Sequence, residues 1–298
     1  MTAEPTITRE IAPLPDRPDD AHKGQVGRLV VIGGCCDEVV MAGAPALTAN
    51  AAFRAGVGLV QVLVPEAIRT AAIALAPCAT ARTLPSRADG VLSAISDFRA
   101  DVVALGPGLG QTLTPEVISK IVTRFTGPVV LDADGLGALS RSDAAAIPDP
   151  QRVVITPHAG EARRLLRARS AEKEATALDA TPASRRRAAC VLHDLFGCTV
   201  VLKGRGTIVT NGNRLYTNET GNSGLATGGT GDVLTGVIAA LIAQQMEPLE
   251  AAILGVYLHG LAGDFAAEEL GRWSLTATDL IDFLAEAFCG HQTDSTQT

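Results

Sequence analysis

Five short apolar runs, each stopping at a glycine, a proline or an acid, constrain the fold more than any other feature of this 298-residue chain. Arg28 to Ile32 meets Gly33-Gly34, Leu59 to Val64 ends at Pro65, and Val102 to Leu105 enters Gly106-Pro107-Gly108-Leu109-Gly110. Pro128 to Leu131 ends on Asp132-Ala133-Asp134, and Val153 to Thr156 on Pro157-His158. Runs this short and this apolar read as buried strands. Helical patterns lie over Gly43 to Ala55, Thr114 to Phe125, Glu161 to Ala168 and Ala183 to Phe196. Pro115 stands at the first position of its helix, where a missing N–H costs nothing. The pattern then changes. Thr199 to Leu202, Thr207 to Thr210 and Arg214 to Thr217 read as short strands, the last two joined across Asn211-Gly212-Asn213, a hairpin signal. Val233 to Ala243, Leu249 to Leu270 and Ala277 to Ala287 read as helices.

Strand–helix alternation, then a hairpin, then helices predicts a three-layer α/β/α domain with a mostly parallel central sheet. Residues 1–20, broken by Pro5, Pro13, Pro15 and Pro18, are expected to form a flexible leader. Residues 21–290 are expected to form a single domain, and residues 291–298 a flexible tail. Ser170 to Thr181, charged and alanine-rich, is expected to be a surface excursion.

Hydrophobic residues make up 47% of the chain and aromatics 3%, so a sizeable core must be built from Ala, Val, Leu and Ile. The net charge of −7 and the lack of a long basic run argue against a nucleic-acid partner. Arg185-Arg186-Arg187 is the one basic cluster, and a solvated helix face is expected for it. Six cysteines without a Cys-x-x-Cys support neither a metal site nor a disulfide framework. The acidic, proline-bearing start does not resemble a signal peptide, and no apolar run reaches the ~20 residues of a membrane span. A cytoplasmic location is the simplest expectation.

In open α/β sheets ligands bind beyond the carboxyl ends of the strands. The segments after the predicted strands therefore carry the site, and each admits two readings. Gly106 to Gly110 is a tight turn or a backbone lining for substrate. Asp132 and Asp134 cap a helix or hold magnesium through water. His158 and Glu161 cap the helix that follows or contact substrate. Lys203-Gly204-Arg205-Gly206-Thr207 is a β-turn or a phosphate clamp.

Asn218 to Gly236 is the densest of these segments. It gathers Gly221, Gly224, Gly228, Gly229 and Gly231 ahead of Asp232 and the apolar helix. The amides of Gly229, Thr230 and Gly231 are expected to form an anion hole at a helix N-terminus. Asp232 beside that hole reads as a base for a group next to a phosphate, or as an N-terminal helix charge.

Several segments together are similar to one known family. They are His22-Lys23-Gly24-x-x-Gly27, Ala55-Gly56-Val57-Gly58-Leu59-Val60, Leu105 to Gly110 and Leu131-Asp132-Ala133-Asp134. Thr156-Pro157-His158-Ala159-Gly160-Glu161, Lys203-Gly204, Leu225 to Gly236 and Val256-Tyr257-Leu258-His259-Gly260-x-Ala262-Gly263-Asp264 complete the set. The chain resembles the ADP/ATP-dependent NAD(P)H-hydrate dehydratases of the ribokinase-like superfamily, from His22 to about Leu284. Two positions depart from the pattern. Cys35-Cys36-Asp37-Glu38 stands where the family often has a serine-led loop, and Ser223 replaces a common proline.

The resemblance implies a ribokinase-like fold and a repair reaction on the S epimer of hydrated NADH or NADPH. A nucleotide phosphorylates the added hydroxyl, phosphate leaves, and the ring double bond returns. ADP would yield AMP, and ATP would yield ADP. By match to the family, Asp232 would be the catalytic base, and Ala44, Gly110, His158 and Asp232 would contact the hydrate. Lys203, Gly204, Arg205, Gly206, Thr207 and Gly231 would line the nucleotide. Mg2+ is implied as cofactor and a homotetramer as assembly. Many relatives carry an epimerase domain ahead of this one, and the ~20 residues before the match predict cooperation with a separate epimerase. The competing expectations are a small-molecule kinase of the same superfamily, such as a hydroxyethylthiazole kinase, and a silent nucleotide sensor.

Overall fold

The computed structural model describes residues 4–140 and 147–295. Residues 1–3 of the expected leader and 296–298 of the expected tail lie outside them.

The predicted strands form, each within a residue or so of its expected bounds. They are β2 (Arg28–Ile32), β3 (Leu59–Val64), β5 (Val102–Leu105), β6 (Val129–Leu131), β7 (Val153–Ile155), β8 (Thr199–Leu202), β9 (Ile208–Thr210) and β10 (Arg214–Thr217). Two further strands, β1 (Thr6–Thr8) and β4 (Thr80–Thr83), complete a ten-stranded sheet of order β1-β10-β9-β8-β7-β6-β5-β2-β3-β4. From β8 to β4 the strands run parallel, whereas β9 is antiparallel to both β8 and β10.

Side chains on successive strand residues point to opposite faces, so a run apolar at every position must be covered on both sides. Val31, Ala104, Val130, Val154 and Val201 belong to one buried cluster, and their neighbours Ile32, Leu105, Leu131, Ile155 and Leu202 to the other. The first cluster is closed by α1 (Gly43–Arg54), α2 (Arg69–Leu75), α8 (Thr230–Ala243), α9 (Pro248–Leu270) and α10 (Ala277–Ser295). The second is closed by α3 (Ala88–Phe98), α4 (Pro115–Arg124), α5 (Ala159–Ala168), α6 (Glu172–Ala177) and α7 (Pro182–Phe196). This is the expected three-layer α/β/α arrangement.

Helix α8 is apolar all round, and every residue from Val233 to Ala243 is buried, as such a pattern requires. It lies against α1 at close range. A Cβ on Gly236 would stand 2.2 Å from the Thr48 carbonyl oxygen. Glycine therefore sets that approach, which brings the N-terminus of α8 to the sheet rim.

Three expectations differ from what forms. The segment read as a flexible leader supplies β1, parallel to β10 at the sheet edge. The expected tail is helical through Ser295, because α10 runs on past Ala287. The expected excursion at Ser170 to Thr181 contains α6, anchored by buried Ala175 and Leu178.

Candidate active site

The sheet reverses its order between β2 and β5, which are neighbours in space but not in sequence. Ligand crevices form outside such a switch point. The segments following β2 and β5 meet there, where the Gly34 amide donates to the Pro107 carbonyl oxygen at 2.9 Å. The segments after β6, β7 and β8 continue the same rim.

Asp232 sits in the first turn of α8, whose cap Gly229 has φ 95°. That left-handed angle is one glycine adopts readily. No side chain caps this end, so the first amides of the helix keep their hydrogens for an anion. The Thr230 carbonyl oxygen accepts a hydrogen bond from His259 Nε2 at 2.9 Å, and the Asp232 carbonyl oxygen accepts one from Thr48 Oγ1 at 3.1 Å. Burial pushes the His259 imidazolium down to about 4, so the ring is a neutral donor. Among the described residues, the Asp232 carboxylate accepts no hydrogen bond. Burial, reinforced by Asp132 and opposed by Lys203, raises its pKa to about 7. A carboxylic acid that titrates near neutrality and lacks an internal partner suits a general base.

Asp132 is buried and held by two donors, Lys203 Nζ at 2.6 Å and Thr235 Oγ1 at 2.8 Å. Asp134 Oδ2 accepts from the Gly110 amide at 2.8 Å. The two acids are thus separately engaged. Asp132 makes no side-chain cap for the short 3-10 turn Ala133–Ala138. Burial alone lowers the Lys203 pKa, but Asp132, Glu161 and Asp232 together more than offset it and the ammonium is retained. Its Nζ would stand 3.2 Å from a Cβ on Gly231. Lys203 therefore joins the sheet rim to the α8 N-terminus.

His158 caps α5. Its Nδ1 accepts from the Gly160 and Glu161 amides at 3.0 and 3.4 Å, and Glu161 Oε2 accepts from the His158 amide at 2.8 Å. An Nδ1 that accepts carries no proton. The hydrogen of the neutral ring is then on Nε2, 3.3 Å from Glu161 Oε1. The capping reading of His158 holds, and the ring stays half-exposed at the rim.

Ala44 is buried in the first turn of α1, and a Cβ on Gly108 would stand 2.9 Å from its methyl. Lys203 to Thr207 is the turn between β8 and β9, closed by Thr207 Oγ1 donating to the Gly204 carbonyl oxygen at 2.9 Å. Arg205 is exposed at its tip. The structure thus brings Ala44, Gly110, His158, Lys203 to Thr207 and Gly229 to Asp232 to the same rim of the sheet.

Sequence reasoning missed three supports. Arg185, assigned to a solvated face, is turned inward. Its Nη2 donates to the Lys203 carbonyl oxygen at 3.2 Å, and Asp179 Oδ1 accepts from Nη1 at 2.8 Å. Arg186 and Arg187 are exposed as expected. Thr235 gave no signal, being one polar residue within an apolar helix. Asp264 Oδ2 accepts from the Gly221 amide at 2.7 Å and Oδ1 from Asn222 Nδ2 at 2.9 Å, which ties the glycine run to α9. Its position within Gly260-x-Ala262-Gly263-Asp264 was visible, but its role was not.

A family model described as NAD(P)H-hydrate dehydratase matches residues 29–286. The chain is 39% identical over 260 residues to the ADP-dependent (S)-NAD(P)H-hydrate dehydratase of Neisseria meningitidis, covering 86% of this chain and 82% of that one. It is 38% identical over 280 residues to the bifunctional NAD(P)H-hydrate repair enzyme of Moorella thermoacetica, covering 91% of this chain and 51% of that one. The chain thus spans about half the length of the bifunctional relatives it matches. Among solved structures, the ADP/ATP-dependent NAD(P)H-hydrate dehydratase of Bacillus subtilis, co-crystallised with ATP and Mg2+, aligns at TM-score 0.74 and 28% identity. That alignment covers 94% of this chain and 95% of that one. A ribokinase-like superfamily protein of Enterococcus faecalis aligns at TM-score 0.76 and 27% identity, covering 94% and 93%.

Proposed function

The chain belongs to the NAD(P)H-hydrate dehydratase family, and on that premise we propose that it restores hydrated NADH or NADPH at the expense of ADP or ATP. The observation that carries the reading is Asp232: a carboxylate titrating at about 7, beside the uncapped N-terminus of α8. In the first step Asp232 takes the proton of the added hydroxyl as its oxygen attacks the terminal phosphorus of the nucleotide. The α8 amides then face the charge that develops on the transferred group. In the second step phosphate leaves with the C–O electron pair, a proton leaves the neighbouring carbon, and the double bond returns. Holding hydroxyl and phosphate on one rim makes the transfer effectively intramolecular.

In this reading the β8–β9 turn and Gly231 line the nucleotide, while Ala44, Gly110 and His158 line the hydrate. Among the described residues, no group of three His, Cys, Asp or Glu is arranged to hold a metal ion. Both oxygens of Asp132 are occupied, whereas among the described residues Asp134 Oδ1 meets no donor. Asp134 is the residue that would help to hold a magnesium ion brought in with the nucleotide. When bound, that ion supplies charge neutralisation on the phosphates.

The finer points of the reading are a preference for the S epimer, a cytoplasmic location, a homotetramer, and cooperation with a separate epimerase. No helix among the described residues is long and apolar enough to cross a membrane. The recovery of reduced nicotinamide absorbance from hydrated NADPH, with ADP and ATP in parallel, tests the activity directly.

A further inference from the structure

The reacting ring is the small end of a dinucleotide, and the adenosine half must lie along the protein beyond Asp232. A cleft of ≈ 400 Å³ lined by residues of α4 and α5 starts at Gly110 and Asp134. Ile118 and Leu136 line its walls, and Ser140 and Arg164 also face it. Arg164 follows Glu161 by one turn of α5, further from the capped end that meets the site. It is exposed. Its neighbours on α5 are paired, Arg163 with Asp179 and Arg167 with Glu172. Among the described residues Arg164 has no such partner. Apolar side chains at Leu113, Ile118, Leu136 and Leu165, with an unpaired guanidinium on the side away from Asp134 and Glu161, suit a purine nucleoside that carries phosphate.

We propose that this cleft takes the adenosine half of the hydrated dinucleotide and that Arg164 holds one of its phosphates. The inference rests on the dehydratase reading. Gly137 gives an independent probe: it faces the cleft, and a Cβ built on it meets nothing within 4 Å. A bulky side chain there enters the cleft without displacing the core.

The test is steady-state recovery of hydrated NADH and hydrated NADPH by wild type, R164A and G137F, with melting temperatures recorded for each. Loss of a charge-assisted contact is expected to raise the R164A KM for at least one dinucleotide by roughly tenfold. Its kcat should stay within about twofold, since the contact is made equally in ground and transition states. A rise confined to hydrated NADPH assigns Arg164 to the 2′-phosphate, and a rise for both assigns it to the bridging phosphates. G137F should raise the KM for both dinucleotides and leave the nucleotide KM unchanged. A wild type that turns over, with both variants keeping wild-type KM values, overturns the inference and leaves the dehydratase reading standing. A wild type that restores no reduced dinucleotide overturns that reading, and the inference with it.

Discussion

Lys203 Nζ lies 2.6 Å from Asp132 Oδ1, and the same ammonium opposes what burial and Asp132 do to Asp232. Two residues 71 apart in sequence thus pull the pKa of the proposed base in opposite directions, on top of what burial does.

Opposite shifts are expected from the two halves of this pair. K203M removes the charge that draws the Asp232 pKa down, so the acidic limb of kcat/KM moves above about pH 7. D132N removes a repelling carboxylate, and the limb moves below it. K203M also leaves Asp132 buried without its cation, at a cost of about 3 kcal/mol or more in denaturant unfolding. Limbs that move together in the two variants would contradict the assignment.

The folded pKa of Asp232, about 7, stands above its ordinary 3.8. The fold thus favours the protonated form. There is no penalty well below pH 4; the penalty grows as pH rises through the interval between the two values, and it is complete above about 7. D232N removes it. Its melting temperature should match wild type near pH 4 and exceed it increasingly up to pH 7, then hold a constant gain worth on the order of 4 kcal/mol. A gain independent of pH would show that Asp232 does not titrate in this window.

Arg185 positions the β8–β9 turn through the Lys203 carbonyl oxygen. R185A should raise the KM for ADP or ATP several-fold while kcat with saturating nucleotide changes little, with R185K recovering only part of the loss. A fall in stability with an unchanged nucleotide KM would assign Arg185 to the fold alone.

The fold was largely legible because strands buried on both faces must be apolar along their length; β5, β6 and β7 are apolar at every position, and β2 and β8 at every position after the first. The place of Asp232 in the first turn of α8 was legible because glycines crowd ahead of an apolar helix. Thr80–Thr83 escaped because an edge strand needs no apolar run, and its residues are Thr-Ala-Arg-Thr. Thr6–Thr8, an edge strand in a segment broken by four prolines, escaped for the same reason. Arg185 looked identical to Arg186 and Arg187; only the packing of α7 against the turn decides which of the three points inward. His158 admitted both a capping and a substrate reading, and its capping bonds are fixed by α5 beginning at Ala159.

If Asp232 is the base, D232N should bind nucleotide with near wild-type affinity yet lose at least about a thousandfold in kcat, the scale of removing a positioned proton acceptor. Isothermal titration with ADP beside single-turnover kinetics separates the two. A variant that retains turnover would place the base elsewhere.

The most direct measurement is the absorbance of reduced nicotinamide during incubation of hydrated NADPH with wild type and ADP, repeated with ATP. The account predicts full recovery of the S epimer, with one phosphate and one AMP released per turnover when ADP is the donor. A stable phosphorylated alcohol without recovered absorbance would instead place the chain among the small-molecule kinases and contradict the account.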